Sequence, residues 1–191
     1  MPALIMPELL EALQFAAIHH QYDRRAGYDR LPYINHLIKV TNCLANRIGE
    51  KDEALLLAAI LHDIVEDTEV TVEHLERRFG SEVAEIVAEL TDDMSLPYEE
   101  RKQLQVDRAG ELSLKARKIR LVDKASNLRD IFNYPLEWTI EKKAAYLENA
   151  IAVAERIKGD NPRLDAWFDT TAAWAREQLQ AQQPANATRP S

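Results

Sequence analysis

The sequence predicts an all-α fold, a single helical bundle, and three observations carry that expectation. Apolar residues recur at three- and four-residue spacing almost throughout, the period of one helix face. Alternating β-branched runs are scarce, and only five glycines punctuate the 191 residues. No internal repeat and no Gly/Ser-rich linker divides the chain, and its length suits one domain. One domain over residues 1–183 with a flexible tail over 184–191 is the simplest organisation.

The elements follow from their start and stop signals. Pro7 opens a first helix that runs to about Tyr22. Residues 23–31 are polar and contain glycine, so they form a loop. A second helix covers roughly Tyr33 to Ile48 and ends at Gly49. A third runs from Lys51 to about Asp67. Thr71 caps a short helix that stops at Gly80, and Ser81 caps the next, which ends near Thr91. Pro97 suits the first position of a helix reaching Ala109. Ser113 precedes a long helix to about Phe132. Thr139 caps another that Gly159 terminates, and Asn161-Pro162 starts the last. Trp167, Phe168 and Trp174 on that last helix are read as core or dimer packing, which leaves room for a homo-oligomer.

Composition excludes several classes. The 24 Lys and Arg residues stand against 32 Asp and Glu, a net charge of -8, which opposes sequence-independent DNA or RNA binding. A small phosphorylated ligand remains compatible, because a metal ion and a few arginines reverse the field locally. Cys43 is the one cysteine, so no intrachain disulfide forms. Met1 to Leu10 lacks the pattern of a secretory signal. No apolar run approaches the ~18 residues of a membrane span. These readings fit a reducing cytoplasm.

Chemistry begins in the third helix. Ala54 to Leu61 is apolar all round, the mark of a buried helix. His62, Asp63, Glu66 and Asp67 then arrive together. At ~100° per residue all four fall within a sector of ~140°. Burying such charges without compensation costs several kcal/mol. A solvated helix end, pairing with arginines, or a divalent cation would each offset the cost. The solvated end has no local advantage, since acidic groups at a helix carboxy terminus oppose its dipole.

Two further segments favour the cation. His36, in P-Y-I-N-H-L, faces inward if Tyr33, Leu37 and Val40 pack. Asp123 lies in the apolar helical run I-R-L-V-D-K-A-S-N-L. His36, His62, Asp63 and Asp123 together make a set of two imidazoles and two carboxylates. Such a set suits Mn²⁺, Fe²⁺ or Zn²⁺ better than Ca²⁺.

The order H…HD…D, with P-Y-I-N-H at 32–36, L-H-D-I-V-E-D-T at 61–68, F-G at 79–80 and T-D-D at 91–93, resembles the HD hydrolase domain of RelA/SpoT proteins. R-K-Q-L-Q-V at 101–106, D-K-A-S-N-L-R-D at 123–130, and P-L-E-W followed by Tyr146 extend the likeness over about residues 8 to 170. The stand-alone small alarmone hydrolases are the group it is most similar to. The resemblance implies a single HD-domain helical bundle and Mn²⁺-dependent removal of the 3′-pyrophosphate from (p)ppGpp, with other divalent transition metals as alternatives. A 191-residue chain has no room for the synthetase domain of the larger enzymes.

On this resemblance Glu66 orients the attacking water or takes its proton, with Asp67 as second candidate. Arg24 and Arg25, in the loop before His36, offer forked donors to the phosphates. Asn127 faces the same cleft as Asp123, one turn away. Lys142 and Tyr146 match family positions near the nucleotide. Four positions depart from the pattern. Leu37 stands where proline is usual and Val122 where alanine is common, both conservative in packing. Ala26 and Tyr98 stand where close relatives often carry lysine, so two phosphate contacts are absent. An adenosine alarmone, NADPH or a nucleoside phosphate is the alternative substrate. The rival readings are a nucleotidase or triphosphohydrolase of the same superfamily and a non-catalytic nucleotide sensor. The E-D-T extension and the arginine loop argue against the first, and the intact ligand set against the second.

Overall fold

The computed structural model describes residues 6–27 and 31–182. Its elements are α1 (Met6–His19), α2 (Ile34–Asn42) continued by a π-helical stretch (Cys43–Ile48), α3 (Glu53–Leu61), α4 (Ile64–Asp67), α5 (Val72–Phe79), α6 (Ser81–Leu90), α7 (Tyr98–Asp107), a 3₁₀ turn (Ala109–Glu111), α8 (Leu114–Asn133), α9 (Ile140–Ile157) and α10 (Pro162–Gln182). No strand occurs among the described residues, which show only an isolated bridge between Arg24 and Pro32. The expected tail, 184–191, lies outside them. No described helix is long and apolar enough to cross a membrane.

Side-chain caps start the helices where the sequence places them. Asp52 accepts the Leu55 N–H at 2.8 Å. Thr71 and His74 form a reciprocal capping box on α5. Ser113, Thr139 and Asn161 cap α8, α9 and α10. Gly49, at φ 92°, takes the left-handed conformation that ends the α2 segment.

Leu55 through Leu61 are all buried, as a helix that is apolar all round must be. Each large side chain among them contributes about 1.5–3 kcal/mol on burial. α3 packs against α1, α2, α6 and α8, and α8 against α9 and α10. The pair α3 and α8 is therefore the centre of the bundle, and α2 lies across both. Phe168 is buried on α10, while Trp167 and Trp174 are half-buried beside it. Trp174 meets Phe132 edge-on at 6.2 Å, so the last helix joins the core.

The structure corrects several boundaries. α1 ends at His19 rather than Tyr22, and Gly80, not Ser81, stands at the cap of α6. Pro97 precedes the first turn of α7 instead of occupying it, and α7 ends at Asp107, before the 3₁₀ turn that holds Ala109. The second helix does not stay α-helical to Ile48 but widens into a π segment at Cys43. The third helix is broken: Asp63 sits at φ -101°, ψ -3°, and separates α3 from the single turn of α4. That bridge conformation is sparsely populated and recurs at active sites. The break re-aims the two acidic side chains that follow.

Candidate metal centre

Four side chains converge where α2, the end of α3 and α8 meet. His36 and His62 are buried, with ring centroids 5.5 Å apart. Asp123 Oδ1 lies 3.1 Å from His36 Nε2 and 3.8 Å from His62 Nε2. Asp63 Oδ2 lies 3.1 Å from His62 Nε2 and 3.9 Å from His36 Nε2. One ligand atom each from His36, His62 and Asp123 falls within 4.8 Å of the others.

The buried imidazole of His62 tests whether a metal fits. Nδ1 faces the Ala59 carbonyl at 2.8 Å, and a carbonyl only accepts, so Nδ1 carries the proton. Nε2 is then the ring nitrogen left for a metal, buried and without a hydrogen-bond partner. Such an atom beside two carboxylates suits a cation. Burial opposes charge on His62, yet Asp63 and Asp123 outweigh it and raise its pKa well above the ordinary value. Burial likewise opposes charge on Asp63 and Asp123, but the two histidines hold both carboxyls below the usual range. Burial lowers His36. The two ionised carboxylates attract positive charge, and the cluster's donors fit a divalent transition metal.

Two neighbours fix the carboxylates. The Tyr33 hydroxyl donates to Asp63 Oδ2 at 2.7 Å, and Asn127 Nδ2 donates to Asp123 Oδ1 at 2.7 Å. Tyr33 is itself stacked on His20, which pairs with Asp23 at 2.9 Å. Such outer partners set ligand orientation and basicity.

Glu66 and Asp67 follow the ligand pair and meet different neighbours. Glu66 accepts the Asp92 N–H at 3.0 Å and lies 4.0 Å from the Arg101 guanidinium. Burial and the charges of Asp92 and Asp63 push its carboxyl up to about 7. Asp67 turns toward Tyr33 at the solvent edge, and partial desolvation with the Asp63 charge pushes it up to about 6. Behind Glu66, Asp92 receives Lys102 at 3.1 Å and Gln105 at 2.7 Å. The T-D-D and R-K-Q-L-Q segments therefore meet in one network that braces Glu66.

The structure separates the two loop arginines. Arg25 enters the cleft, where it donates to Asn127 and Asp130 and lies over the Tyr33 ring. Gly27 allows this path: its φ is 130°, and a Cβ there would meet Leu136 at 3.2 Å. Arg24 is exposed and turns back onto the carbonyls of Gln21 and Asp23. Asn127 is held on both sides, by Arg25 and Asp123. Tyr146 faces Asn127, Asp123 and Arg25, and burial raises its hydroxyl well above the ordinary value. Lys142 is exposed and lies 4.3 Å from the centre of the Trp138 ring.

Sequence reasoning treated Tyr33 as packing and did not foresee Asp92, Asp130 or Lys124. Tyr33 had a readable signal, since it precedes His36 by three residues and shares its helix face. Lys124 is buried beside Asp123 and donates to Gln105 at 2.6 Å and Asn149 at 3.0 Å, tying α8 to α7 and α9. Burial pushes its ammonium down to about 7.

Known proteins resemble this chain in sequence and fold. A family profile described as HD domain matches residues 12–150. The guanosine-3′,5′-bis(diphosphate) 3′-pyrophosphohydrolase MESH1 of Drosophila melanogaster is 41% identical over 163 residues, covering 85% of this chain and 91% of that protein. The protein of that name from Homo sapiens is 42% identical over 159 residues, covering 83% and 89%. A solved structure, described as a metazoan ortholog of SpoT that hydrolyzes ppGpp, matches with a TM-score of 0.85 at 38% identity over 91% of this chain and 97% of that one. The chain belongs to the HD-domain family, within its RelA/SpoT-like group of stand-alone hydrolases.

Proposed function

We propose that this protein removes the 3′-pyrophosphate from (p)ppGpp, giving GDP or GTP and pyrophosphate, in the cytoplasm and with Mn²⁺ as its native ion. One observation carries the reading: two buried imidazoles and two carboxylates converge beside a carboxyl whose pKa lies about 7, in a chain whose relatives carry that activity in their names. Residues 1–183 form the hydrolase domain.

His36, His62, Asp63 and Asp123 hold the ion, which when bound polarises a phosphoryl oxygen and acidifies water. Glu66 accepts the proton of the attacking water at its carboxylate, which near pH 7 is poised between its two forms. The water oxygen bonds to the phosphorus attached to O3′, the P–O3′ bond breaks, and O3′ takes up one proton from solvent to leave as the hydroxyl of the nucleotide, while Glu66 returns its proton to solvent. Asp67 stands second in line as proton acceptor. Tyr33 and Asn127 keep the ligand carboxylates in place. Arg25 presents its guanidinium to the phosphates and Tyr146 lines the nucleotide side, with Lys142 at the rim. Arg24 lies outside this grip.

Ala26 and Tyr98 favour a second reading in which the base or the phosphate pattern differs, as in ppApp, NADPH or a nucleoside phosphate. Both side chains are exposed, and neither offers the positive charge of a lysine. Product analysis on a panel of ppGpp, ppApp, NADPH and simple nucleotides separates the two. Pyrophosphate from ppGpp supports the first reading, and turnover restricted to another member supports the second.

A further inference from the structure

Apart from the metal cluster, a cavity of about 480 Å³ lies between α2, its π-helical continuation, α8 and α10. Its volume falls in the range of small-molecule sites, roughly 300–1,000 Å³. Lys39, Arg47 and Arg129 line it together with Ser126, Cys43 and Trp167. Three cations gathered at one cavity are notable in a chain of net charge -8. Among the described residues, neither Arg47 nor Arg129 pairs with a carboxylate within 4.0 Å, while Lys39 pairs with Asp130.

Two buried polar atoms stand without partners at this cavity. Ser126 is 2% exposed and its Oγ makes no hydrogen bond. Arg129 Nε is buried and makes none either. An unsatisfied buried donor costs about 1–3 kcal/mol, so a group that accepts from both is a stabilising occupant. The arginines are already oriented: Arg47 lies 5.8 Å from the Trp167 ring centre and Arg129 lies 5.6 Å from that of Trp174. The wall from Cys43 to Arg47 belongs to the π-helical stretch, a geometry frequent at functional sites. No step of the hydrolysis uses any of these side chains.

We infer that this cavity is a second ligand site, which binds a small phosphorylated molecule through Arg47, Arg129, Lys39 and the Ser126 hydroxyl, with the Trp167 ring as an apolar wall. Phosphate supplies what the site lacks: several acceptor oxygens and at least one negative charge for planar guanidinium donors. Lys39 connects the site to the metal cleft, because its partner Asp130 also receives Arg25.

The test uses the full chain, metal-free, titrated with pyrophosphate at constant ionic strength and followed by ¹⁵N–¹H NMR. The expected result is saturable shifts at Asn46, Arg47, Ser126 and the Trp167 indole. In the Arg47→Gln/Arg129→Gln variant the affinity at these signals falls by about tenfold or more, the loss of charge-assisted bonds worth roughly 1.5–3 kcal/mol. Its spectrum shows whether the variant is folded, and the mapping on the unaltered chain stands without it. Shifts confined to the surroundings of His62, Arg25 and Tyr146, or no shifts at all, would overturn the inference. Equal affinity in the folded variant would do so too.

Discussion

The Nδ1–H of His62 donates to the Ala59 carbonyl at 2.8 Å, which leaves Nε2 buried and turned into the cluster, 3.1 Å from Asp63 Oδ2. The backbone of α3 thus chooses the tautomer, and the tautomer chooses the ligand atom. His62→Ala removes that atom, and the purified variant is expected to retain no divalent metal after dialysis, as read by plasma mass spectrometry. Tyr33→Phe keeps all four ligands but frees Asp63. It lowers metal affinity roughly 10–100-fold, the usual effect of an outer partner. Full metal occupancy in His62→Ala would remove the ligand assignment.

Glu66 acts as a base only when ionised. Burial pushes its pKa up to about 7 from the ordinary 4.5, so in the metal-free protein its carboxyl carbon titrates near neutrality by ¹³C NMR, and an added divalent cation lowers that midpoint. The sign for stability follows. A carboxyl whose folded pKa exceeds its unfolded value disfavours folding as pH rises through the window from 4.5 to about 7. Glu66→Gln abolishes this dependence, keeps the metal and lowers kcat roughly 10²–10⁴-fold. Retained turnover would exclude Glu66 as the proton acceptor.

The two loop arginines have opposite fates. Arg25 reaches Asn127 and Asp130, while Arg24 caps carbonyls at the surface. Arg25→Ala raises KM by about tenfold or more, the loss of one charge-assisted contact. Arg24→Ala changes KM by less than about twofold, as surface positions do. Steady-state kinetics on both variants check this, and a larger effect from Arg24 would contradict the geometry.

Lys124 predicts a pH dependence of stability at the other end of the scale. Its folded pKa is about 7 against an ordinary 10.5, so between those values the unfolded chain binds more protons and stability rises with pH. The contribution is complete above 10.5 and is lost as pH falls to about 7. Urea unfolding at neutral and alkaline pH reads it directly. Lys124→Met removes the slope, and an unchanged slope would show that another group is responsible.

The sequence revealed the fold class because helix caps and apolar spacing are local signals. Thr71, Ser113, Thr139 and Asn161 each stand at the helix start that the local start signals assigned. It revealed the histidines and aspartates because ionisable groups stand out in apolar runs such as 54–61. The break at Asp63 was hidden, since a helical wheel assumes unbroken geometry and stacks Glu66 over His62. The brace behind Glu66 was hidden as well: Asp92, Lys102 and Gln105 come together only through the packing of α6, α7 and α8. Arg24 and Arg25 are equivalent as letters, and only the turn at Gly27 tells them apart.

The central claim rests on one reaction, and ³¹P NMR of ppGpp incubated with the protein and Mn²⁺ follows it directly. The account predicts equal amounts of pyrophosphate and GDP, with neither formed in the Glu66→Gln variant at comparable enzyme concentration. Intact ppGpp after prolonged incubation with metal-loaded protein, or inorganic phosphate as the only phosphorus product, would contradict it.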